Sequence, residues 1–135
     1  MTKHMNGELL QKKLAGLDKL VAKLNASEVV LLVEGKRDKA ALRNVGLTAS
    51  IIEANGGKEQ LAKRIIASQQ KPVILFDFDR TGNERAAQLA ELLLRFDCVA
   101  DVETRKKFRL FLGMRCFEEV DSKLDRMLSE IAEKR

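Results

Sequence analysis

At 135 residues the chain is long enough for one domain with a real core and too short for two substantial ones. Hydrophobic residues at 45% and charged residues at 33% exclude a disordered composition, and no stretch approaches the roughly 18 uncharged apolar residues of a membrane helix. A formal charge of +5 and a pI of about 9.4 suit a polyanionic partner such as nucleic acid, although many mildly basic proteins have none.

Counting residue types narrows the chemistry further. The opening MTKHMNGELLQKK lacks the apolar core of a signal peptide, which predicts a cytoplasmic protein. Cys98 and Cys116 form no CxxC pair, are expected to stay reduced, and cannot with the single His4 build a four-ligand zinc site. Ser-His-Asp or Cys-His catalysis would have to recruit His4 from a frayed terminus, and with no tyrosine there is no tyrosyl link to a nucleic-acid strand. Carboxylates, basic groups, hydroxyls and any metal they hold remain.

In chain order, GELLQKKLAGLDKLVAKL (7–24) repeats leucine or valine every three or four residues, which predicts a helix ending near Asn25 and packed on the domain. SEVVLLVEG (27–35) reads as a buried strand, and KRDKAALRNVG (36–46) as a short helix ending at Gly46. ASIIEANGG (49–57) predicts a second strand breaking into a turn, and KEQLAKRIIASQQ (58–70) a helix. PVILFDFD (72–79) is a third strand, NERAAQLAELLLRF (83–96) a helix, and CVADVE (98–103) a fourth strand. TRKKFRLFLGMRCF (104–117) is basic and apolar together, and EEVDSKLDRMLSEIAEKR closes the chain as a helix. The alternation predicts an α/β domain: a mostly parallel sheet of about four strands with helices on both faces, cored by residues 27–103 and extended by helices at 1–26 and 104–135. Sites in such sheets lie off the carboxyl ends of the strands, which brings Glu34-Gly35, Glu53 to Gly57 and Asp77 to Gly82 to one edge.

Asp77 and Asp79 are two apart, so on an extended segment both side chains leave the same face, and the apolar run before them buries the strand. A hard divalent cation with oxygen ligands satisfies that pair; the alternative is a solvated turn permitted by Gly82. The DxDxT string of Asp77, Asp79 and Thr81 also matches the start of haloacid-dehalogenase-type phosphatases, but little chain follows for the rest of that machinery.

VVLLVEGKRD followed by VILFDFDRTG resembles the two motifs of the Toprim domain, an apolar strand ending in Glu-Gly and a later one ending in DxD. That domain is shared by topoisomerases, bacterial-type primases, overcoming-lysogenization-defect nucleases and small ribosomal-RNA-maturing ribonucleases. IIEANGG resembles the strand and turn between the motifs in the small stand-alone members, and the resemblance covers residues 27–103. It implies a compact Rossmann-like Toprim fold. It also implies Mg²⁺, with Mn²⁺ as an alternative, held by Asp77 and Asp79 together with Glu34, which doubles as general acid or base. Asp38 would support the site from behind. Gly35, Gly56, Gly82 and Asn55 would approach phosphate, and Lys36, Arg37 and Arg80 would clamp a phosphate backbone. The plainer readings are a strand-end, N-cap-like residue for Glu34, a turn for Asn55, Gly56 and Gly82, and surface charge balance for Lys36, Arg37 and Arg80. The cluster Arg105, Lys106, Lys107, Arg109 and Arg115 among Phe108, Phe111 and Phe117 reads either as a nucleic-acid platform whose rings stack bases or as core rings with the basic residues facing water; core is favoured for the rings and the role of the basic residues stays open. The implied activity is metal-dependent phosphodiester cleavage of RNA or DNA. The alternatives are a non-catalytic nucleic-acid-binding subunit, working with a partner or as a homodimer, and the phosphatase. No membrane role is expected.

Overall fold

The computed structural model describes residues 7–133; His4 lies outside them. The elements are α1 (Gly7–Ala26), β1 (Val29–Val33), α2 (Lys36–Asn44), β2 (Ser50–Glu53), α3 (Lys58–Ser68), β3 (Lys71–Ile74), α4 (Arg80–Leu94), α5 (Thr104–Leu112), a 3-10 turn (Phe117–Glu119) and α6 (Val120–Glu133). The strands form a parallel sheet in the order β2-β1-β3, with Val30 to Val33 opposite Ser50 to Glu53 and Val29 to Leu32 opposite Lys71 to Ile74.

All five β1 residues are buried, as a central strand covered on both faces requires. Because side chains alternate across a strand, Val30, Leu32, Ile74 and Phe76 join one core with Leu61 and Ile65 of α3 and Ala86, Leu89 and Leu93 of α4. Leu31, Val33, Val73 and Leu75 join the other, with α1, α2, α5 and α6. The amino-terminal and carboxy-terminal helices thus close one face of the same sheet. Phe108 and Phe117 are fully buried there, their rings meeting edge-to-face at 5.6 Å, so these aromatics are core as expected.

Three boundaries depart from the sequence reading. The sheet has three strands, not four: the segment around CVADVE makes a single parallel bridge, Asp101 to Val73. There Asp101 N donates to Pro72 O at 2.8 Å and Ile74 N to Asp101 O at 3.0 Å. The Asp101 carboxylate then accepts from the amides of Glu103 (2.8 Å) and Thr104 (2.9 Å), which turns the chain into α5 instead of along the sheet. Strand β3 is shorter than predicted, although Leu75 N still donates to Leu32 O at 2.8 Å. Helix α4 starts at Arg80, three residues earlier than the pattern implied, because Asp79 caps it.

Candidate metal centre at the carboxyl edge of the sheet

Glu34 follows the last residue of β1 and Asp77 follows the end of pairing on the adjacent β3, so both stand at the same carboxyl edge of the sheet, where the turn after β3 completes their approach. Asp38 joins them from the first turn of α2, where its Oδ2 accepts from Gly35 N at 3.2 Å as a cap. One carboxylate oxygen from each of Glu34, Asp38 and Asp77 lies within 4.8 Å of the others. Asp38 is 6% exposed.

Three carboxylates this close repel one another unless protonated or neutralised. Glu34 Oε1 is buried and has no hydrogen-bond partner among the described residues. The nearest cation, Arg85 Nη1, stands 3.9 Å away, within ion-pair range but beyond a hydrogen bond. Burial, then the charge of Asp77 and a hydrogen bond shared with it, push the Glu34 carboxyl up to about 7 against the pull of Arg85. Burial and Asp77 also push Asp38 upward. An all-oxygen donor set with a buried oxygen left unsatisfied fits a hard divalent cation.

This geometry gives a stability prediction. The folded protein binds the Glu34 proton more tightly than the unfolded chain, whose ordinary value is 4.5. The resulting stabilisation is therefore complete below pH 4.5 and is lost as pH rises through 7. Urea unfolding in EDTA should show the protein about 1–3 kcal/mol less stable at pH 8 than at pH 5, at 1.36 kcal/mol per shifted unit. Glu34→Gln should flatten that difference; an unchanged slope would remove Glu34 as its source.

Asp79 does not join the cluster. The expectation that Asp77 and Asp79 share a face assumed an extended segment, but β3 has ended and the chain turns. Asp77 Oδ1 accepts from Phe117 N at 2.8 Å, whereas Asp79 Oδ1 accepts from Gly82 N at 2.7 Å as the cap of α4. Gly82 has no alternative in that turn: a Cβ would lie 2.1 Å from Asp77 O and 3.0 Å from Asp79 Oδ1. Because the first obstacle is backbone, Gly82→Ala must displace the Asp77 peptide. It should cost at least about 2 kcal/mol and weaken divalent-cation binding, whereas Gly35→Ala, with nothing within 4 Å of its Cβ, should do neither. Thermal melts with and without Mg²⁺ compare the two.

Arg105, one of the basic residues whose role the sequence leaves open, is only 7% exposed. Its Nε donates to Phe76 O at 3.0 Å, and its Nη2 donates to Asp77 O at 2.7 Å and to Asn83 Oδ1 at 2.9 Å. Its guanidinium lies 4.2 Å from the centre of the Phe78 ring, which stacks on Phe117 at 6.3 Å. Burial disfavours the Arg105 charge, while Glu34 and Asp77 favour it. The available signal was placement: Thr104, Arg105, Phe108 and Leu112 share the buried face of α5, where a charge needs partners. Arg85 carried no comparable signal.

The other residues singled out lie around this centre without joining it. Gly35 caps α2, and Lys36 and Arg37 are exposed in its first turn. Arg80 opens α4, exposed and ion-paired with Glu84 at 3.1 Å. Asn55 Oδ1 accepts from Arg64 Nη1 at 3.2 Å, and Gly56 holds φ at +81° in the turn before α3.

No known family model matches the chain. A UPF0292 protein of Thermococcus gammatolerans is 45% identical over 92 residues, covering 67% of this chain and 68% of that one. The chain belongs to the UPF0292 family. Another UPF0292 protein, from Thermococcus kodakarensis, is 40% identical over 90 residues, 67% of this chain and 68% of its own length. One from Methanosarcina barkeri is 26% identical over 119 residues, covering 85% of this chain and 82% of that one. Among solved structures, a protein from Aquifex aeolicus superposes with a TM-score of 0.65 at 26% identity, over 76% of this UPF0292 chain and 96% of its own. No helix among the described residues is long and apolar enough to cross a membrane.

Proposed function

We propose that this UPF0292 protein is a small Toprim-like enzyme that cleaves phosphodiester bonds in RNA or DNA with the help of Mg²⁺, or Mn²⁺ in its place. The observation that carries the reading is the meeting of Glu34, Asp38 and Asp77, with Glu34 Oε1 buried and without a hydrogen bond among the described residues. It adds a spatial argument to the resemblance of VVLLVEGKRD and VILFDFDRTG to the Toprim motifs.

Asp77, Asp38 and one oxygen of Glu34 would hold the ion; Asp79 is left one oxygen, since Oδ1 is taken by Gly82 N. Held there, a divalent ion would supply positive charge to neutralise the phosphate and orient the scissile group. Without an ion, burial and the charge of Asp77 push the Glu34 carboxyl up to about 7; an ion held there would favour the carboxylate form, suited to accept a proton from the attacking oxygen. Phe117 N fixes Asp77, and Arg105 fixes the peptide that carries it. Lys36, Arg37 and Arg80, exposed at the starts of α2 and α4, supply cations for a phosphate backbone.

The test is cleavage of labelled single- and double-stranded RNA and DNA with Mg²⁺, Mn²⁺ or EDTA. Metal-dependent cleavage of one of these substrates is expected. Metal binding without cleavage of any substrate would favour the accessory-subunit reading, and phosphate release from small monoesters the phosphatase.

A further inference from the structure

Beside the carboxylates lies a cavity of about 220 Å³ lined by Gly56, Lys58, Leu61, Arg85, Gln88 and Leu89, with Phe76 beneath. It opens between the start of α3 and the middle of α4. Arg85 joins it to the acidic centre: Nη1 is 3.9 Å from Glu34 Oε1, Nη2 donates to Ala54 O at 3.3 Å, and the guanidinium sits 5.3 Å from the centre of the Phe76 ring. Lys58 of α3 and Arg85 of α4 bring positive charge to the cavity, Gln88 brings an amide, and Leu61, Leu89 and Phe76 give it an apolar lining. The volume falls below the roughly 300–1,000 Å³ of drug-sized ligand pockets, so it suits one fragment of a larger molecule.

We infer that this cavity is a subsite for one unpaired nucleotide of the strand whose phosphodiester is presented to Glu34. The inference rests on the nuclease reading and narrows its substrate class to strands that are single or locally unpaired beside the cleaved bond. The base lies against the apolar lining, where every base has a face to offer. Its phosphate meets Lys58 and Arg85, and the Gln88 amide reaches the base edge. A base pair is too wide for the space, so a fully paired duplex cannot fill it.

The experiment is fluorescence anisotropy of a labelled single-stranded oligonucleotide and of a blunt duplex of equal length, in Mg²⁺. The parent is full-length Glu34→Gln, so that strands stay intact. Lys58→Glu and Gln88→Ala, both at exposed helical positions, are compared with Lys63→Glu, which makes the same charge change on α3 away from the cavity. Lys58→Glu and Gln88→Ala should each weaken single-strand binding by about fivefold or more. Lys63→Glu should weaken it by less than about twofold, and duplex binding should respond to none of the three beyond that. Equal losses from Lys58→Glu and Lys63→Glu, or parental binding by Gln88→Ala, would overturn the subsite. Failure of the two proposals is distinguishable: a subsite response without wild-type cleavage sinks the nuclease, and cleavage without the response sinks the subsite.

Discussion

Glu34→Gln is expected to reduce metal-dependent strand cleavage by at least about a hundredfold, the lower end of what a positioned acid or base contributes. The substitution keeps the shape of the side chain and removes its ability to carry a proton. It also deletes a negative charge whose ionisation the nearby Asp77 and, to a smaller extent, Asp79 oppose. The folded variant should therefore be at least as stable as the parent at pH 8, and lost turnover cannot be assigned to unfolding. Rates measured under single-turnover conditions beside urea melts separate the two. A variant that melts like the parent and cleaves within about threefold of it would remove Glu34 from the chemistry.

The second large effect is on stability. Arg105→Leu should destabilise the protein by about 2–4 kcal/mol, since a buried acceptor left without a donor costs about 1–3 kcal/mol and of its three acceptors Phe76 O is buried and Asp77 O half-buried. The acceptors are Phe76 O, Asp77 O and Asn83 Oδ1, which a planar fork reaches together while its face rests on Phe78. Arg105→Lys should recover little of the loss, because one ammonium cannot span two successive carbonyls and the Asn83 amide in that geometry. The carbonyls belong to the turn that carries Asp77, so Mg²⁺ affinity should fall with stability. Equilibrium unfolding and calorimetric Mg²⁺ titration check both. A loss under about 1 kcal/mol with affinity intact would show that the turn holds itself.

Much of the fold was legible because burial leaves a period in the sequence. The unbroken apolar run of β1 and the leucine stripe of α1 placed those elements closely, and chain alternation implied the parallel sheet. The fourth strand misled because Val99, Ala100 and Val102 have strand-like composition, while Asp101 spends its carboxylate on the amides that start α5. Local side-chain-to-backbone bonding decided against the sheet, and apolar patterning does not record it. The same cause separates Asp77 from Asp79: two residues of one motif serve different amides, of Phe117 and Gly82. Asp38 was anticipated only as a supporting residue, yet it stands with Glu34 and Asp77 because capping α2 aims it at the same edge. Arg105 and Arg85 reach the site from distant elements, and that convergence depends on tertiary packing that no local window contains.

The most direct test is calorimetric titration of Mn²⁺ and Mg²⁺ into the wild-type protein and Asp77→Asn at pH 8, with melts confirming that both are folded. Three converging carboxylates with an unsatisfied buried oxygen predict saturable binding of the ion by the wild type, lost or weakened at least about tenfold in Asp77→Asn. Equal binding by both proteins, or none by the wild type, would contradict a metal centre built on Glu34, Asp38 and Asp77.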